Sequence, residues 1–100
     1  MGDSLSKGLK YVLQSLTHNQ RETLKCLASL LEQQPEGISF KELFLTCKEE
    51  MLVIQEKQLR DHLVEAKDHQ IIYEKKGKRG ETIICMRHVP SSILSILSNF

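Results

Sequence analysis

An α+β fold, with a three-helix core, a two-stranded β-hairpin and a flanking helix at each end, is what this 100-residue sequence predicts. Three observations lead there. Helical periodicity runs from Gln55 to about Asp68. Two short apolar runs, Ile71–Tyr73 and Thr82–Met86, follow it without a long loop. Between them stands Lys75-Lys76-Gly77-Lys78-Arg79-Gly80, four cations and two glycines in six residues. Strand-like runs around such a segment predict a hairpin whose turn uses positive φ and whose tip is too charged to bury. A helix delivered beside a basic hairpin is the working end of a winged helix-turn-helix, and the rest of the chain reads as its scaffold.

Composition sets the bounds. The 100 residues predict a single domain over 1–100, with 1–8 read as an N-terminal extension. With 40% hydrophobic and 27% charged residues the chain has the make-up of a folded domain, not of a disordered one. Lys and Arg number 14 against 13 Asp and Glu, so attraction to phosphate must come from local clustering and not from the net charge of +1. Cys26, Cys47 and Cys85 are odd in number and widely spaced on apolar faces, as free thiols of a reducing compartment are. Cys85 and His88 have ligand-like spacing but lack a second pair, so no metal is assigned. No apolar run reaches the ~18 residues of a membrane helix, and no membrane partner is expected. Gly2 with Ser6 meets the bare myristoylation pattern, which is permissive and carries no assignment.

The elements follow in order. Leu5, Leu9, Val12, Leu13 and Leu16 form the apolar stripe of an opening helix. Thr17 with Gln20 makes a capping box for the next helix, whose core face is Leu24, Leu27, Ala28 and Leu31 and which ends near Gln34, before Pro35 and Gly37. Ser39 with Glu42 predicts a second capping box, followed by Phe40, Leu43, Phe44, Cys47 and Met51 at helical spacing. Leu52-Val53-Ile54 breaks the period and predicts a buried turn into the next helix. After the hairpin, Pro90 suits a first helical turn, and Ile93, Leu94, Ile96, Leu97 and Phe100 supply apolar positions that must fold back or dock on a partner.

On the helix from Gln55, Leu59, Leu63 and Ala66 share a core face with His62 at its margin. The opposite face carries Lys57, Arg60, Asp61, Val64, Glu65 and Asp68, two cations against three anions. Helices that read base edges use Arg, Lys, Asn or Gln and avoid carboxylates near phosphates, so this one is a poor base reader. Lys57 and Arg60 are candidates for phosphate contact from its N-terminal half, against a solvated face with Arg60 paired to Glu56. His69 is expected to meet free carbonyls at the helix end. Glu74 and Glu81 flank the basic tip and are expected to pair across the strands, leaving +2 over residues 74–81.

Taken together, Tyr11-Val12-Leu13-Gln14-Ser15-Leu16-Thr17 with Asn19, Ser39-Phe40, Cys47 with Glu49, Leu52-Val53, Leu59-Arg60, Leu63, Glu65, Asp68-His69, Ile72, Lys75-Lys76-Gly77 and Gly80-Glu81 give the chain a specific likeness. It resembles the C-terminal winged-helix domain of the second subunit of the eukaryotic origin recognition complex, over about Leu9 to Leu97. The resemblance implies a nuclear role in DNA replication initiation. In that family the domain is paired with an ATPase-like module, in a complex that encircles origin DNA and loads the replicative helicase. It places Lys75, Lys76 and Gly77 on the family's wing. Lys78 and Arg79 extend the charge here, and Ile54 and Gln55 stand where the family often has small polar residues.

Two functions follow as expectations. In the first, Lys75, Lys76, Lys78 and Arg79, with Lys57 and Arg60 as secondary contacts, grip the backbone of double-stranded DNA weakly and with little sequence preference, while the domain docks other subunits. In the alternative, the domain is a protein-interaction module within a multi-subunit complex, with no direct DNA contact. Catalysis, cofactors and a small-molecule substrate are not expected, because no Gly-rich phosphate loop, nucleophile elbow or paired metal motif is present.

Overall fold

The computed structural model describes the backbone of residues 2–99 and the side chains of residues 8–99. Leu5 and Phe100, two expected apolar positions, lie outside the described side chains. The chain runs α1 (Gly2–Ser15), α2 (His18–Gln33), β1 (Ile38–Ser39), α3 (Phe40–Glu49), α4 (Glu56–Asp68), β2 (Ile72–Lys76), β3 (Thr82–Met86) and α5 (Pro90–Leu97). Residues 2–8 are thus helical backbone continuous with the rest of α1.

One continuous core joins these elements. Leu24, Leu27, Ala28 and Leu31 of α2 are buried together with Leu13 of α1 and Leu16 just after it, Leu43 and Cys47 of α3, and Leu59, Leu63 and Ala66 of α4. Ile93 and Leu97 of α5 are buried as well, and α5 packs along α2. The apolar C-terminal segment therefore folds back on its own domain. Burying each such aliphatic side chain contributes roughly 1.5–3 kcal/mol, which favours this closure over leaving the helix in water.

The sheet has one strand more than the hairpin expected from sequence. Its order is β1-β3-β2, with Ile38 opposite Ile84 and Ser39 opposite Ile83. Two residues are too few to show a period of two, which is why β1 was invisible in the sequence. Gly37, just before it, holds φ +129°, and a Cβ there would run into the Ile83 side chain. The pairing of β1 with β3 thus requires a glycine at that position. β2 begins one residue later and runs farther than the apolar run Ile71–Tyr73 suggested, so Lys75 and Lys76 are strand residues and not turn residues.

Helix ends explain the other departures. Thr17 Oγ1 accepts from Gln20 N at 3.2 Å while Gln20 Oε1 accepts from Thr17 N at 2.8 Å, a complete capping box. Ser39 caps α3 by accepting from Glu42 N at 3.2 Å, but the Glu42 carboxylate accepts instead from Gln34 Nε2 at 3.0 Å. Only half of that expected box forms, because Gln34, just past the end of α2, holds the carboxylate. Helices α3 and α4 both close with paired backbone bonds. Leu52 N donates to Cys47 O and Met51 N to Lys48 O, and likewise Ile71 N to Ala66 O and Gln70 N to Lys67 O. Met51 and Gln70 hold the required left-handed φ of 61° and 59°. Of the expected buried turn, Val53 is buried and Leu52 half-buried, while Ile54 points outward.

Candidate nucleic-acid interface

The wing is built by register. Tyr73 stands opposite Cys85, Lys75 opposite Ile83 and Lys76 opposite Thr82. At its tip Gly77 N donates to Glu81 O at 2.8 Å and Gly80 N to Gly77 O at 3.0 Å, with Gly80 at φ +80°. This is a turn of Gly77, Lys78, Arg79 and Gly80 followed by a glycine bulge, a form of hairpin that needs the left-handed conformation at its last residue. The turn makes Lys78 and Arg79 the outermost residues of the domain's only hairpin among the described residues. Neighbours on a strand alternate, so Lys75 and Lys76 leave opposite faces of β2.

All four wing cations are exposed, and among the described residues none makes an ion pair. They border a cleft of about 560 Å³ together with Glu36, Gly37 and Glu81. The carboxylates that sequence set beside them are placed otherwise than expected. Register puts Glu74 opposite Ile84, not opposite a cation, and Lys67 Nζ of α4 approaches its carboxylate at 2.9 Å. Glu81 stands at the closing pair of the turn, where its Oε1 accepts from Arg79 N at 3.4 Å. Neither acid pairs across the strands with a wing cation. β2 is also an edge strand of the sheet, and lysines on an edge keep it from pairing with another sheet.

Helix α4 presents its candidates differently. Leu59, Leu63 and Ala66 are buried, as expected, and the outer face is exposed. Arg60 pairs with Glu56 at 3.5 Å and lies over the Phe40 ring at 5.3 Å, so its guanidinium is already engaged. Lys57 is exposed and makes no ion pair among the described residues. The helix start is capped from within: Gln58 Oε1 accepts from Ile54 N at 2.6 Å and Gln55 N at 3.1 Å, while the Gln55 side chain makes no cap. A second cleft, of about 500 Å³, separates α4 from the wing and the start of α3. Lys41 and Lys67 line it beside Arg60. Sequence reasoning missed both, since neither sits in a run of charge and only the fold brings them together.

The histidines have structural surroundings. Thr23 Oγ1 donates to Asn19 O at 2.8 Å and lies 3.1 Å from His62 Nδ1, so His62 serves as the donor to it. Burial pushes the His62 imidazole below its ordinary value, with Asp61 pulling weakly the other way. His69 is the C-cap of α4, its backbone N–H donating to Glu65 O at 3.2 Å, but its imidazole does not meet the carbonyls, which the backbone bonds that close the helix have taken. Its Nε2 instead lies 3.3 Å from Glu65 Oε1. The three cysteines are free thiols. A hydrogen bond from the Cys47 thiol lowers Cys26, and that bond together with burial raises Cys47. Among the described residues no group of three His, Cys, Asp or Glu could hold a metal ion, and no helix is long and apolar enough to cross a membrane.

With this geometry in view, the comparisons with known proteins are specific. The sequence pattern of the winged-helix domain of origin recognition complex subunit 2 matches residues 30–91. The chain belongs to this family. It is 36% identical over 81 residues to the origin of replication complex subunit 2 of Oryza sativa subsp. indica, a match covering 79% of this chain and 21% of that protein. It is 38% identical over 77 residues to the human origin recognition complex subunit 2, covering 72% of this chain and 13% of that protein. The chain thus spans about a fifth or less of the length of these relatives. A solved structure of a Drosophila origin recognition complex bound to AT-rich DNA and Cdc6 contains a similar fold, with TM-score 0.80 and 24% identity over 93% of this chain and 32% of the matched one. That likeness carries the winged-helix architecture, with its three-stranded sheet, and it does not by itself place DNA on any residue here.

Proposed function

We infer that this winged helix is a non-catalytic part of a nuclear origin recognition complex, and that it holds duplex DNA weakly through its wing while its other faces dock neighbouring subunits. The observation that carries the reading is the gathering of Lys75, Lys76, Lys78 and Arg79 on one projecting hairpin, with no ion pair among the described residues to neutralise them. Exposed cations on a hairpin follow phosphates and carry little sequence information, so binding is sequence-tolerant and strongly salt-dependent. Four phosphate contacts give a slope of log affinity on log salt of about −3.6, from about −0.9 per contact. The relatives named above, and the DNA-bound assembly that contains the similar fold, support the same reading. Lys57 is the next contact. Arg60 is weaker than its position suggested, because Glu56 and Phe40 already hold it.

A specific observation also favours docking. The outer face of α4 joins Asp61, Glu65 and Asp68 to exposed Val64, and Met51 and Ile54 lie exposed just before it. Such a surface repels phosphate and suits a basic, partly apolar protein partner. The test is a low-salt titration of the domain with a short duplex, followed by NMR shifts and repeated with the four wing cations changed to alanine. Shifts centred on residues 75–80 and lost in the quadruple variant are expected. Shifts that persist unchanged in that variant would overturn DNA binding by the wing and move the contact to another face, and no shifts at any concentration would leave docking as the domain's role.

A further inference from the structure

The wing tip already holds an anion of its own. In the turn at Gly77, Lys78, Arg79 and Gly80 the Arg79 N–H donates to Glu81 Oε1 at 3.4 Å. The Glu81 side chain folds over Gly77 so closely that a Cβ on Gly77 would coincide with its carboxylate. Among the described residues this carboxylate makes no ion pair with any Lys or Arg, so the turn backbone holds it. It borders both the cleft beside the wing cations and the cleft facing α4. A free turn N–H in a run of cationic residues would also stabilise a phosphate oxygen.

We propose that Glu81 is a specificity-determining residue of the wing: its carboxylate fills the anion seat at the tip and has to leave before a phosphate can take it. Both cannot occupy the seat, because two anions sharing one donor repel. An isolated anion supplies a single contact against that displacement. Duplex DNA carries a charge about every 1.7 Å along its axis, so it supplies several contacts at once to Lys75, Lys76, Lys78 and Arg79. The seated carboxylate therefore sets a threshold that a dense phosphate array passes and a lone carboxylate or phosphate does not. Identifying the displacing phosphate as that of duplex DNA rests on the function proposed above.

Two substitutions weaken the hold on the seat in different ways. Glu81→Gln removes the charge and leaves a neutral amide oxygen as the acceptor. Gly77→Ala keeps the charge but pushes the carboxylate off the turn, and Gly77 lies outside the left-handed region, so alanine is not strained there. Glu36→Gln is the control, since it makes the same charge change on an exposed residue lining the same cleft. The whole chain in each form is titrated by NMR with inorganic phosphate and, separately, with a short duplex. In E81Q and G77A the Lys78, Arg79 and Gly80 amides are expected to respond to phosphate at about fivefold lower concentration than in wild type, the scale of one exposed charged contact. Duplex affinity is expected to rise by less than twofold, since the wing cations hold it whether or not the seat is filled, so the preference for duplex over lone phosphate falls; E36Q is expected to change either affinity by less than twofold. Equal gains in E36Q, or no gain in G77A, would overturn the proposal and leave wing binding of DNA untouched. A response to phosphate that follows the predicted order, with no wing response to duplex in any form, would uphold the seat and overturn the DNA reading.

Discussion

Gly37 and Gly80 both hold positive φ, at +129° and +80°, yet they are held for different reasons. A Cβ on Gly80 meets nothing within 4 Å, so alanine there incurs only backbone strain, about 1 kcal/mol. A Cβ on Gly37 collides with Ile83 and comes within 3.0 Å of Cys85 Sγ, so alanine adds overpacking of about 1–3 kcal/mol to the strain. Urea denaturation of the two variants should therefore show G37A losing clearly more stability than G80A, and equal losses would mean that β1 does not pin the sheet there. The sequence showed Gly80 as a turn residue because lysines and strand runs surround it. Gly37 was legible only as a helix stop after Pro35, since its partner Ile83 lies far along the chain. In the same way the four wing cations could be found as a run, whereas Lys41 and Lys67 could not.

At the scale of elements, α4 is fixed on α2 by the core and by the polar contact of His62 with buried Thr23. His62 has its folded pKa depressed by burial, so the unfolded chain binds the proton more readily. The sign follows from that. The contribution is fully present above the ordinary histidine value of about 6.5 and is lost as pH falls from there through the lower folded value. Between pH 7.5 and 5, the urea midpoint of the wild-type chain should drop further than that of His62→Gln, which has no proton to take up. Parallel drops would show that this histidine is as solvated in the fold as out of it. Helix starts and stops were unequally legible. The Thr17 and Gln20 box stood in the sequence because it is local. The end of α4 near Asp68 was read from its periodicity, but the left-handed closures at Met51 and Gln70 were not, because that conformation is usually marked by glycine. That concealed closure is also why the His69 imidazole turns to Glu65 and not to carbonyls.

For the molecule as a whole, a net charge of +1 hides a separation of sign. The wing carries Lys75, Lys76, Lys78 and Arg79, while the outer face of α4 carries Asp61, Glu65 and Asp68. Two modes of engagement are then distinct. If α4 entered the major groove, its acids would lie against phosphates and oppose binding at short range. If the wing alone touches the duplex, the acids lie farther away, where a Debye length of about 10 Å at 0.1 M salt screens them. Changing all three to their amides, Asp61→Asn, Glu65→Gln and Asp68→Asn, separates the modes. With the wing as the contact, duplex affinity at 0.1 M salt should change by less than about twofold and the salt slope should stay near −3.6. A gain of tenfold or more would place α4 on the DNA and make Lys57 a principal contact. The same triple variant should weaken docking to a basic partner subunit, because there the acids are the attractive groups and not bystanders.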